Sequence, residues 1–486
     1  MPEIDDVIAQ VLQPGFAGTA VPDWVRRRLA GGLGSVILFG SNIETPEQLR
    51  TLTDALRAEN PDVFVAIDEE GGDITRLEHA AGSSYPGNLA LGALDDVALT
   101  EAMARSMGLR VRAAGIDLDY APVADVNTEP RNPVIGARSF GADPALVARH
   151  VAAAVRGLHG AGVAACAKHF PGHGDTTVDS HFGLPTVHAT RADLERDTLP
   201  PFRAAIGAGV RAVMVAHLLI PALDPEHPGS VSPVVIGELL RRDLGFDGLA
   251  VSDAIGMAAV RARYGLAGAA VQALAAGIDL VCVDSGTTDE DMAQLTAEIT
   301  AALRDGRLPE SRLAEAARRV AEFAAWRREV REPDVGSSHQ APDFASASTE
   351  VSGLEAARQA VRILRSETAL PLTQSPHVIE SDLPRSMADR LAELLPGTTR
   401  TTLADAADLP VGRPLVIAVR GIQRAPQDLE RVAALVKERP DAVVVELGVP
   451  HVDPGGAAWV ATYGASRVCV QAAAEILAGK EFDDPA

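Results

Sequence analysis

Between about residues 30 and 290 the chain alternates short, β-rich apolar runs with Ala/Leu/Arg-rich stretches of helical character, and each run ends in a polar or glycine-containing turn. Seven runs read as strands, at 35–39, 63–67, 117–121, 164–168, 212–216, 249–252 and 280–283. They are nearly continuous in hydrophobicity, as strands covered on both faces are, so the rhythm predicts a parallel sheet. With an eighth strand expected near the N-terminus, the pattern fits a (β/α)8 barrel of the α/β class better than an open sheet. Barrels of this kind build their sites at the carboxyl ends of the strands. Here those ends carry Asp68-Glu69-Glu70-Gly71-Gly72, Pro122 to Asp125, His169 to His173, His217 and Asp253.

A helical stretch over 310–330 closes this region. The Pro/Ser/Ala-rich run REPDVGSSHQAPDFASAST that follows reads as a linker. Residues 353–486 start with a predicted helix over 353–365 and continue with strands at 415–419 and 443–447 and a helix at 427–437, the pattern of a small α/β sandwich. The organisation expected is therefore a barrel domain over 1–335, a linker over 336–352 and a sandwich domain over 353–486.

Composition narrows the partners. The chain has 486 residues, 47% of them hydrophobic, and a formal charge of −22, which suits a two-domain globule. It has no Lys/Arg block, and this argues against nucleic acid or an anionic membrane as the main partner. The start, MPEIDDVIAQVLQPGF, lacks a basic n-region and a continuous apolar core, and no uninterrupted apolar run reaches about 18 residues. The expectation is a cytoplasmic protein with no membrane span. Cys166, Cys282 and Cys469 are odd in number and lie in apolar runs, so they read as buried free thiols. Oligomeric state leaves no signature.

The densest chemistry lies in KHFPGHGDTTVDSH, from Lys168 to His181. His169 and His173 have the i, i+4 spacing of a helical metal site, but Pro171 and Gly172 between them forbid the helix, so no metal is expected. Asp179 stands two residues before His181; an aspartate so placed can hold one imidazole nitrogen and favour the cation, making the pair a proton donor near neutral pH. Asp253 ends the apolar run LAVS, where an aspartate serves as nucleophile, metal ligand or helix N-cap. Asp68 follows a buried strand, and a carboxylate there either accepts hydrogen bonds from sugar hydroxyls or fixes its own loop. Arg76, Arg138 and Lys168 lie near the same rim, as ligands for hydroxyls and carbonyls or as solvated surface cations.

These residues, taken with five motifs in order, resemble glycoside hydrolase family 3 and its bacterial β-N-acetylglucosaminidase branch. The motifs are IDEEGGDITRL (67–77), NPVIGARSFG (132–141), KHFPGHGDTTVDSH (168–181), MVAHLLIPALDP (214–225) and SDAIGM (252–257). The resemblance covers about residues 20 to 330, with a weaker match in the C-terminal region. It implies a retaining β-N-acetylhexosaminidase that needs no cofactor, with Asp253 as nucleophile and His181 with Asp179 as the acid/base dyad. It further implies a sugar-binding set of Asp68, Arg76, Arg138, Lys168 and His169, with His217 and Met257 lining the pocket. The substrate implied is a carbohydrate ending in β-linked N-acetylglucosamine, such as a muropeptide fragment or a chitin oligomer. Three other readings stay open: a phosphorylase or a dual β-glucosidase of the same family, and a non-catalytic sugar-binding protein on the same scaffold. Because every catalytic group falls before residue 260, the second domain is expected to supply none of them.

Overall fold

The apolar runs form parallel strands in the computed structural model, which describes residues 4–179, 183–331, 351–367, 370–406 and 409–480. They are β1 (Leu12–Gln13), β2 (Ser35–Leu38), β3 (Phe64–Ile67), β4 (Leu118–Asp119), β5 (Ala164–Phe170), β6 (Ala212–Val215), β7 (Leu249–Ser252) and β8 (Val281–Cys282). Strands β2 to β7 lie side by side in chain order, and β1 pairs with β8. This pair is tied to both edges of the sheet: Ile37 N–H donates to the Pro14 carbonyl at 3.1 Å, and Ser252 N–H to that of Leu280 at 3.0 Å. Two of the helices between the strands begin at side-chain caps. Thr45 and Asp143 each precede a proline and accept an N–H from the first turn.

Strand periodicity decides which residues share the interior. Phe64 and Ala66, Leu118 and Tyr120, Ala164 and Cys166, Ala212 and Met214, and Leu249 and Val251 all enter one core. The fully buried Tyr120 donates its hydroxyl to Gln13 on β1. At the amino ends of the strands the helix Glu310–Arg331 covers this core. Its Phe323 meets Phe64 with ring centroids 4.8 Å apart, and Arg327 donates to the carbonyls of Pro61 and Val63. Close by in the chain, just before β8, the buried carboxylate of Asp279 accepts from Arg241, Arg312, Arg319 and the Ala250 N–H. Four donors offset the cost of burying that charge.

By internal contacts the chain divides into two compact units, the first made of residues 1–69, 97–126 and 142–351. The second gathers 352–486 together with two early segments, 70–96 and 127–141. Its strands are β9 (Arg362–Ser366), β10 (His377–Glu380), β11 (Thr399–Thr402), β12 (Leu415–Val419), β13 (Val443–Glu446) and β14 (Ala458–Ala461). Their spatial order is β11-β10-β12-β13-β14-β9, parallel except for β9. Helices Gly353–Ala360, Met387–Leu394 and Arg467–Leu477 pack on one face, and Pro426–Glu438 packs on the other.

One expected element is corrected. The helix predicted over 353–365 stops at Ala360, and Arg362–Ser366 forms the antiparallel edge strand β9. Helix propensity at these positions is worth only tenths of a kcal/mol per residue, whereas the open edge of β14 supplies backbone partners along most of the segment. Among the described residues, no helix is long and apolar enough to cross a membrane.

Candidate active site

The carboxyl ends of the first unit's strands carry most of the expected site. Asp253 follows β7 directly. Its N–H donates to the Val215 carbonyl at 3.0 Å and its Oδ1 accepts from Ala254 N–H at 2.8 Å. The next helix starts at Ala258 with Met257 in the cap position, so Asp253 is not that helix's N-cap. The turn between them is fixed by His217, which is fully buried. Nε2–H of His217 donates to the Ala254 carbonyl at 3.0 Å, and Nδ1 lies 2.5 Å from Ser230 Oγ. A carbonyl can only accept, so the hydrogen belongs on Nε2, and in the neutral ring the Ser230 hydroxyl donates to Nδ1. Gly256, in the same turn, is needed for space: a Cβ there would come 1.5 Å from Asp284 Oδ2. Met257 is nearly buried beside it.

Strands β3 and β5 bring Asp68 and Lys168 together. Lys168 Nζ donates to Asp68 Oδ1 at 2.6 Å, with side chains 2% and 16% exposed. Behind them lies Asp119, which accepts the Glu69 N–H; burial lifts its carboxyl well above the usual range. The Cys282 thiol is also pushed up, by burial first and then by the Asp68, Asp253 and Asp284 carboxylates.

The next residue of β5, His169, is held by Asp125, an aspartate that the sequence places at a strand end without revealing its role. Its fully buried carboxylate accepts His169 Nδ1–H at 2.8 Å, His173 N–H at 2.6 Å and the His169 backbone N–H at 3.3 Å. Burial alone would raise this carboxyl, but the His169 and His173 contacts outweigh it and hold it below the usual range. Burial lowers the pKa of His173, against the pull of Asp125. Its Nδ1–H donates to Thr176 Oγ1, whose own hydrogen goes to the His173 carbonyl. The only trace of Asp125 in the sequence is its place just past a strand end, because its partners lie 44 and 48 residues away.

Asp179 is half-buried in the loop after β5, and its carbonyl accepts Gly183 N–H at 3.1 Å. His181 lies outside the described residues. The remaining two expected residues, Arg76 and Arg138, belong to the second unit. Arg138 is gripped by Glu70 through two bonds, Nε to Oε2 at 2.9 Å and Nη2 to Oε1 at 2.7 Å, and its carbonyl accepts from Asn88. Arg76 is half-buried, two residues before Glu78.

The chain is similar to several known proteins. The family described as "Glycosyl hydrolase family 3 N terminal domain" matches residues 3–323. A β-hexosaminidase A of Pseudoalteromonas piscicida is 33% identical over 317 residues, 60% of this chain but only 53% of that protein, so the chain spans about half of this relative's length. A β-hexosaminidase of Chromobacterium violaceum is 37% identical over 337 residues, 67% of this chain and 91% of that one. A solved family 3 β-N-acetylglucosaminidase from Paenibacillus sp. str. FPU-7 superposes with a TM-score of 0.87 at 32% identity, covering 98% of this chain and 97% of that one. With two thirds of its length inside the family's signature domain, the chain belongs to glycosyl hydrolase family 3 and is a glycosidase.

Proposed function

We propose that this glycosidase is a retaining β-N-acetylhexosaminidase that removes terminal β-linked N-acetylglucosamine, built on a (β/α)8 barrel and acting in the cytoplasm. The observation that carries the reading is Asp253: a carboxylate at the carboxyl end of β7, its turn locked by His217, in the same parallel sheet whose carboxyl ends carry the Asp68–Lys168 pair. The relatives named β-hexosaminidase and β-N-acetylglucosaminidase supply the sugar.

In this mechanism the Asp253 carboxylate attacks the anomeric carbon while His181, charged and oriented by Asp179, protonates the departing oxygen. A glycosyl ester forms on Asp253; neutral His181 then takes a proton from water, which opens the ester and restores the β configuration. Asp68, Lys168, His169, Arg76 and Arg138 bind the sugar's hydroxyls and acetamido group, which is positioning rather than bond-making.

A slow fluorosugar donor of the N-acetylglucosamine series should label Asp253, and Asp253→Ala should lose nearly all turnover yet keep the native melting temperature. Labelling of another carboxylate would remove the assignment. Product analysis with and without inorganic phosphate separates hydrolysis from phosphorolysis: the free sugar is expected in both, and a sugar phosphate would exchange this reading for a phosphorylase.

A further inference from the structure

In open α/β sheets, ligands sit in the crevice beyond the carboxyl ends of the parallel strands. The second unit's sheet has such an edge, formed by the loops after β12, β13 and β14, and the chain's own segment 70–96 occupies it. Arg420, just past β12, donates from Nη2 to Asp73 Oδ2 at 2.6 Å. Ala465 N–H, in the loop after β14, donates to Asp73 Oδ1 at 2.7 Å, and the Asp73 side chain is only 4% exposed. The loop that presents Arg420 is itself held at β13, whose buried Glu446 accepts Gly421 N–H at 2.6 Å. In the same loop Gln423 donates to the Pro130 carbonyl and so reaches the other early segment, 127–141. Further grips are Cys469 Sγ–H to the Pro86 carbonyl and Gly353, so close to Ser84 that a Cβ would come 1.9 Å from its carbonyl oxygen.

We propose that the second unit is a positioning scaffold for the sugar-binding arginines: the Arg420–Asp73 pair fixes the segment that carries Glu70 and Arg76, and Glu70 in turn orients Arg138. The inference rests on the reading of Arg76 and Arg138 as sugar-binding residues. It gives the C-terminal region a part in catalysis without a reacting group. Arg420, Asp73 and Glu70 are positioning residues, and their effect belongs in KM more than in kcat, because they set where the sugar is held and leave the proton donor and nucleophile untouched.

The test uses the full chain and an aryl β-N-acetylglucosaminide. Arg420→Ala, Asp73→Asn and Glu70→Gln should each raise KM about tenfold or more with kcat changed by less than about threefold, and Arg420→Lys should recover part of the loss. Arg439→Ala is the structural control. It loosens the opposite edge of the same sheet, where Arg439 donates to the carbonyls of Pro410 and Arg413, and it should leave KM unchanged. Where Arg420→Ala does not fold, Arg420→Lys and Gln423→Ala carry the measurement, each with a smaller rise in KM. Unchanged KM in the folded variants, or an equal rise in Arg439→Ala, would overturn the scaffold. A wild-type chain with no activity on the substrate would instead overturn the proposed function.

Discussion

Asp125→Asn is the substitution that most directly probes how the site is built. The two side chains are nearly the same shape, but the carboxylate accepts at both oxygens, whereas the amide offers one acceptor and one NH2 donor. Three N–H groups converge here: the His169 backbone N–H, His169 Nδ1–H on Oδ2 and His173 N–H on Oδ1. An amide oxygen turned toward His173 sets its NH2 against Nδ1–H. The imidazole hydrogen must then move to Nε2, and the ring's other nitrogen changes from acceptor to donor. Turned the other way, the amide leaves the His173 N–H facing a donor. One buried N–H without a partner costs about 1–3 kcal/mol, and the lost charge-assisted bonds add a similar amount, so a destabilisation of about 3 kcal/mol is expected. The site is fully buried, so solvent does little to soften the change. The sign with pH follows from the depressed carboxyl. Its contribution is fully present above the unfolded pKa near 3.9 and is lost as pH falls through the lower folded value. Urea unfolding should therefore show a constant gap between wild type and variant above about pH 5 and a shrinking one below about pH 4. On an aryl β-N-acetylglucosaminide, kcat/KM should fall about a hundredfold, mainly through KM. A variant within 1 kcal/mol of wild type at pH 7 and with KM unchanged would show that Asp125 neither holds the turn nor orients His169.

Two further predictions separate chemistry from support. Asp179→Asn should shift the basic limb of the pH–rate profile to lower pH, and His181→Ala should slow substrates with poor leaving groups far more than dinitrophenyl glycosides; equal losses on both would make His181 a binding residue. Asp279→Asn removes the charge that gathers Arg241, Arg312 and Arg319, so it should cost about 3–5 kcal/mol in urea unfolding while kcat and KM of the folded fraction stay at wild-type values; a changed KM would tie the amino ends of the strands to the site.

The strand-end logic made much of the first unit legible. Seven apolar runs became β2 to β8, and the expected N-terminal strand is β1, because continuous burial leaves a hydrophobic run that needs no partner information to be recognised. Asp253, Asp68 and Lys168 were readable for the same reason: each stands where a buried run stops. What stayed hidden depends on register between distant segments. Asp125 is an ordinary loop aspartate until β4 and β5 are laid side by side, and only then do both histidines reach it. The edge strand β9 was hidden because its residues are good helix formers whose partner, β14, lies far along the chain. Nor does the pattern of residues 70–96 reveal that this segment groups with residues 352–486, since a salt bridge such as Asp73–Arg420 has no local signature.

That grouping also sets the order in which the protein can be completed during synthesis. Segments 70–96 and 127–141 leave the ribosome long before residues 352–486, on the order of ten seconds or more at about 5–20 residues per second. For that interval the first unit has all of its strands, while Asp73, Pro86 and Pro130 in the two early segments have water in place of their later partners. The last strands and the final helix are therefore the step that seats them. A chain that stops before residue 352 carries every strand of the first unit but none of the late partners that seat segments 70–96 and 127–141, and on the proposed reading it should keep its reacting groups while holding the sugar weakly.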